Sequence, residues 1–159
     1  MYQKILVPLD GSELSECSLA HARAVAIGCH VPELVLLRVV EPLSAVIATG
    51  DTEGYIPPGD WQEGLRVEAE GYIAKVAATL KKEGIAARGA VVSGRAADEI
   101  IDYAGKNQVD LIIMSTHGRA GVSRWVLGSV ADRVVRHSPV PVLVVPPHGS
   151  RVVSREVGG

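Results

Sequence analysis

VDLIIMSTHGRAGVSRWVLGSV, residues 109–130, is the stretch whose reading decides how this chain folds. Its first part, 109–114, is a short apolar run between polar neighbours, the pattern of a strand covered on both faces. Residues 115–123 then supply small, glycine-spaced side chains with no large apolar one except Val122. Gly118 and Gly128 are separated by nine residues, and Ser129 directly follows the second glycine at the head of a new helical pattern. The order is strand, glycine-bearing loop, helix start. Glycines let a backbone approach a ligand closely, and unpaired N–H groups at a helix start carry partial positive charge. A phosphate suits such a turn, and a tight turn with no ligand fits the local pattern equally well.

Outward from this stretch the chain repeats the same alternation. Residues 4–9 (KILVPL) read as a first strand, with Pro8 near its end where a missing N–H costs least. Ser12 then stands as N-cap of a helix over 13–28 with the stripe Leu14, Cys17, Ala20, Ala24 and Ile27, and Gly28 as its stop. Asp10 lies at the carboxyl end of that strand. An acidic residue there meets a ribose hydroxyl or a phosphate-bound cation, or else only caps the helix. The second strand, 33–40, is apolar on both faces except for Arg38. Residues 41–60 carry three glycines and three prolines with no periodicity, longer than an ordinary connection and readable as a lid.

From Trp61 the positions Leu65, Ala69, Tyr72, Val76 and Leu80 recur at helical spacing up to Gly84. A third strand follows at 86–92 and a third helix at 96–105, with Ala97, Ile100, Ile101 and Ala104 inward. After the glycine loop a fourth helix turns Val130, Val134 and Val135 inward and stops at Ser138 and Pro139. VPVLVV, 140–145, is the fifth strand, and the tail 146–159 has no core-forming pattern. Five apolar strands alternating with four helices imply right-handed crossovers and an open, parallel sheet with helices on both faces. Periodicity leaves the strand order open. The single domain is expected over residues 1–147, with 148–159 as a flexible tail.

Composition removes several function classes. There are 16 basic against 18 acidic residues, a formal charge of −2, so nucleic acid and membrane surfaces are not the expected partners. Aromatic residues make up 4% and Phe is absent, which leaves no stacking surface for single strands. The first residues, MYQKILVPLD, lack a secretory signal pattern, so a cytoplasmic setting is expected. Cys17, Cys29, His21 and His30 show no paired metal-ligand spacing.

Three segments together resemble the universal stress protein family: KILVPLDGSE at 4–13, LVLLRVVEP at 34–42, and above all MSTHGRAGVSRWVLGSVADRVVRHSPVPVLVV at 114–145. Its nucleotide-binding members carry Gly, two residues, Gly, nine residues, then Gly and Ser or Thr. Gly118, Gly128 and Ser129 match that pattern, and Ser115 stands in place of the first glycine. The resemblance implies strand order 3-2-1-4-5 and ATP, or AMP or another adenine nucleotide, between strands one and four. It places Pro8 and Asp10 beside the nucleoside, with Asp10 near the ribose or a Mg2+ ion carried by the nucleotide. Val39 then contacts adenine through its main chain, Met114 and Ser115 lie under the sugar, and Gly118, Gly128, Ser129 and Val130 hold the phosphates. Arg119, Arg124 and His117 stand near a terminal phosphate or are ordinary loop residues.

An apolar strand such as 140–145 at a sheet edge pairs readily with another chain. The resemblance implies a homodimer through it, isologous about a two-fold axis. No GxxxxGK[ST], GxGxxG or GxSxG motif occurs, so rapid phosphoryl transfer has no machinery here and any ATP hydrolysis is expected to be slow. Three hypotheses follow. They are a dimeric nucleotide-binding stress-response regulator, a slow ATPase or autophosphorylating protein, and a nucleotide-free dimerisation module for which Ser115 is the best support.

Overall fold

The computed structural model describes residues 1–42, 59–117 and 127–147. In chain order the elements are β1 (Lys4–Pro8), α1 (Glu13–Glu16), α2 (Ser18–Gly28), β2 (Glu33–Val40), α3 (Trp61–Lys82), β3 (Ala87–Ser93), α4 (Ala96–Lys106), β4 (Leu111–Ser115), α5 (Ser129–His137) and β5 (Val142–Val145). Every strand is parallel to its neighbours and the order is β3-β2-β1-β4-β5, as the resemblance implied.

Both faces of the sheet are covered, which is why its central strands are apolar without alternation. On one face Ile5, Val7, Leu34, Leu36 and Ile113 pack against Leu19, Ala22 and Ala26 of α2 and Ile73, Ala77 and Leu80 of α3. On the other, Leu6, Val35, Leu37 and Ile112 meet Ala97, Ile100 and Ala104 of α4 and Ala131 and Val134 of α5. Each fully buried Leu, Ile or Val in these layers stabilises the fold by about 1.5–3 kcal/mol. Gly89 is where α3 crosses closest to edge strand β3, and a Cβ there would overlap a methyl group of Ile73.

The amino edge of the sheet is closed by charge. Asp110, expected inside a strand, precedes β4, and its carboxylate accepts the N–H groups of Gln3 at 2.7 Å and Lys4 at 3.2 Å. Lys4 in turn reaches the Asn107 carbonyl at 3.0 Å and Glu33 at 3.1 Å, and Glu33 also pairs with Arg88. These contacts tie the starts of β1, β2, β3 and β4 together. The hydrogen bond from Arg88, ahead of that from Lys4, holds the Glu33 carboxyl below the usual glutamate range.

Two helix faces differ from expectation. The helix expected over 13–28 is divided at Cys17, and its inward face is Ser15, Ser18, Leu19, Ala22 and Ala26. Ala20, Ala24 and Ile27 of the expected stripe are exposed, Ile27 by 62%. The reason lies in the serines. Ser15 Oγ donates to the Ser12 carbonyl at 2.9 Å and Ser18 Oγ to the Ser15 carbonyl at 2.8 Å, so both hydroxyls are buried with their bonding satisfied. In α5, Ala131 and Val134 face inward while Val135, expected inward, is 44% exposed. The glycine-rich part of the expected lid, 43–58, and the tail 148–159 lie outside the described residues. Among the described residues no helix is long and apolar enough to cross a membrane.

Candidate functional site

From β1 the sheet extends to β2 and β3 on one side and to β4 and β5 on the other. The crossovers therefore leave in opposite directions, opening a crevice outside the carboxyl ends of β1 and β4. Leu6 pairs with Ile112, and two residues further along these parallel strands stand Pro8 and Met114. Pro8 is half-buried, and Val39, Met114 and Ser115 are buried at the ends of β2 and β4.

The loop after β1 closes on itself. Asp10 Oδ1 accepts the N–H of Ser12 at 2.9 Å and its hydroxyl at 2.5 Å, and Ser12 Oγ accepts the Ser15 N–H at 3.2 Å as the N-cap of α1. Ser15 Oγ also accepts the Asp10 N–H at 3.3 Å. Gly11 makes the turn at φ +85°, where a side chain would strain the backbone. Asp10 thus has a capping role through one carboxylate oxygen. Among the described residues no group of three or more His, Cys, Asp or Glu side chains could hold a metal ion.

The turn between β4 and α5 is built differently. Ser115 Oγ donates to the His117 carbonyl at 2.8 Å, the Thr116 N–H to the Val145 carbonyl at 2.9 Å, and the Gly128 N–H to the Thr116 carbonyl at 2.9 Å. Ser115 sits in regular strand conformation, so serine brings no backbone strain where the family pattern has glycine. At Gly128 the dihedrals, φ −58° and ψ 155°, suit any residue. Its need for glycine is one of space: a Cβ would lie 2.8 Å from the Thr116 oxygen and 3.5 Å from His117 Cα. Beyond it α5 begins with no side-chain cap, and Ser129 is exposed with Val130 half-buried. The first-turn N–H groups of α5 have no carbonyl within the helix to bond. His117 turns its Nδ1 to Thr116 Oγ1 at 2.9 Å. Gly118, Arg119 and Arg124 lie outside the described residues.

At the far end of the crevice the structure gathers residues that sequence reading did not assign to it. The Leu37 carbonyl accepts the Leu9 N–H at 2.9 Å, so it points toward β1. The Val39 carbonyl, two residues on, faces the same side beyond the last strand residue of β1. Arg38 Nη1 donates to it at 3.1 Å. Nearby, Tyr72 of α3 donates its hydroxyl to Glu16 Oε1 of α1 at 2.6 Å. Burial first, then the hydrogen bond to Glu16, pushes the Tyr72 phenol well above its ordinary range; Asp10 adds to the rise and Arg38 opposes it. These four side chains therefore share one rim. Arg38, a charge inside an otherwise apolar run of β2, was the available signal; Tyr72 was hidden because it continues an apolar stripe.

The universal stress protein family model matches residues 1–146 of the chain. Universal stress protein MJ0531 of Methanocaldococcus jannaschii is 34% identical over 148 residues, covering 91% of this chain and 82% of that protein. The solved structure of protein MJ0577 of the same organism superposes with a TM-score of 0.78 at 31% identity, covering 94% of this chain and 99% of that one. An Arabidopsis thaliana member of the family, solved with AMP bound, has a TM-score of 0.56 and 16% identity over 91% of each chain, a likeness of fold alone.

Proposed function

Since this chain belongs to the universal stress protein family, we propose that it binds an adenine nucleotide, ATP or a relative such as AMP, in the crevice between β1 and β4. The observation that carries this reading is the start of α5. It is a helix N-terminus with no side-chain cap among the described residues, brought against the end of β4 by a glycine whose Cβ would crowd the Thr116 oxygen. Such a start offers N–H donors and a favourable dipole to phosphate. The fold can hold an adenine nucleotide in at least one protein, the Arabidopsis one with AMP.

In this reading Gly118, Gly128, Ser129 and Val130 hold the phosphates, Met114 and Ser115 floor the sugar, and Pro8 and Asp10 flank the nucleoside. The Val39 main chain meets the base. Asp10 accepts from the ribose or lies near a Mg2+ ion whose other ligands are phosphate oxygens and water. Binding serves regulation rather than turnover, and hydrolysis is slow, because no residue is assigned as a base or as a loop lysine beside the phosphates. A homodimer forms through the strand 140–145, where Leu143 of β5 is 38% exposed at the sheet edge.

Small molecules released by denaturing the purified protein, identified by mass spectrometry, and calorimetry with AMP and ATP, with and without magnesium, test this reading. A released adenine nucleotide or saturable binding is expected. Absence of both, in folded protein, would leave a nucleotide-free dimerisation module in its place.

A further inference from the structure

We propose that the outer edge of β3 and the adjoining shoulder of α3 dock an extended segment of another polypeptide, one with a large apolar residue followed two positions later by an acidic one. This surface lies at a sheet edge, away from the crevice between β1 and β4, and stands independently of the nucleotide-binding reading. β3 is the last strand of the sheet, and its register with β2 fixes which main-chain groups are left over. The Leu34 N–H donates to the Ala86 carbonyl at 2.9 Å and the Gly94 N–H to the Val40 carbonyl at 3.1 Å. Even-numbered residues therefore turn their main chain to β2, and Ala87, Gly89 and Val91 turn N–H and C=O groups outward. No strand among the described residues pairs with that side. Such an edge is a template for a further strand.

Side chains of the added strand alternate between the two faces. The one opposite Gly89 points to the α3 face, because a Cβ on Gly89 would itself meet Ile73. There a cavity of about 420 Å3 opens between α3 and β3, lined by Ile73, Ala74, Ala77, Ala78 and Val91. An apolar side chain as large as Leu enters it. A second copy paired about Gly89 would set glycine opposite glycine and leave the cavity empty. Charge then fixes the direction. Of the ionisable groups at the cavity, Glu70 is bonded to Arg66 at 3.0 Å and Arg88 to Glu33. The ammonium of Lys81 is exposed and has no partner among the described residues. Since α3 ends at Lys82 and β3 begins at Ala87, Lys81 stands at the Ala87 end of the cavity. A segment running antiparallel to β3, the more stable pairing, comes opposite Ala87 two residues after Gly89. An acidic residue at that position meets Lys81.

The probes are the acetylated, amidated peptide Val-Thr-Leu-Thr-Glu and a twin that ends in Lys, titrated into the isotope-labelled full chain with amide shifts followed residue by residue. Saturable shifts at the Gly89 and Val91 amides are expected, with the Glu-ended peptide bound about threefold more tightly, the scale of an exposed ion pair. Lys81→Glu inverts that preference. Ala78→Phe, which fills the cavity from an exposed helix position, weakens both peptides by about tenfold, the loss of one buried apolar side chain. Thermal melts confirm that each variant is folded. No shift at Gly89 and Val91 with millimolar peptide, or a preference that does not respond to residue 81, overturns the proposal. Exchange at these amides that slows with protein concentration, without peptide, also overturns it, because a second copy then covers the edge.

Discussion

At the amino edge of the sheet, charged side chains are bonded to the protein itself. Asp110 takes two backbone N–H groups, and Lys4, Glu33 and Arg88 form a connected chain of ion pairs across β1, β2 and β3. At the carboxyl edge the same chain places a helix start without a side-chain cap, a glycine pressed against a backbone carbonyl, and a strand-end carbonyl with an arginine laid across it. The contrast holds even within that edge, since α1 has the Asp10, Ser12 and Ser15 network at its start and α5 has no side-chain cap among the described residues. Hydrogen-bonding capacity satisfied internally stabilises a fold; capacity directed outward at a topological switch point is available to a ligand.

Gly128→Val attacks this contrast with the largest expected effect. Its Cβ would stand 2.8 Å from the Thr116 oxygen, so the turn must open and the α5 start must move away from the crevice. Nucleotide binding should be abolished and stability should fall by about 1–3 kcal/mol, the cost typical of overpacking. Calorimetry and a thermal melt on the same sample check both, and a folded variant with unchanged affinity would place the site elsewhere.

The smallest effect belongs to the opposite edge. Glu33 has its carboxyl held below the ordinary value of 4.5 in the folded state, chiefly by the hydrogen bond from Arg88. Its contribution is therefore present above that ordinary value and is lost as pH falls through the lower folded one. Melting temperature followed from pH 6 downward should fall less steeply in Glu33→Gln than in wild type, with AMP affinity at neutral pH equal in the two. Parallel acid limbs would deny Glu33 this role.

The five strands were legible because a sheet covered on both faces leaves unbroken apolar runs, and each was placed within one or two residues. The turn at Gly128 was legible as glycine followed by a helical pattern, although the reason for that glycine was not. Crowding by the Thr116 oxygen is a tertiary fact with no local signature. Ser15 and Ser18 were not part of the expected stripe, because they are polar, yet their hydroxyls return to backbone carbonyls and are buried. Asp110 was absorbed into a strand, since nothing nearby in sequence announces that it will bond Gln3 and Lys4, more than a hundred residues away. Arg38 stood out as an exception, but its reach to Val39 depends on which way that carbonyl turns. Such direction follows from strand register, and periodicity did not supply the strand order.

Amide hydrogen exchange measured residue by residue, with and without saturating AMP, tests the central claim most directly. Slowed exchange is expected at Ser129 and Val130 at the start of α5 and around the β4 turn at Thr116 and His117, with the amides of Gln3 and Lys4 at the amino edge unchanged. Protection confined to the amino edge, or none at the start of α5 while AMP is bound, would contradict it.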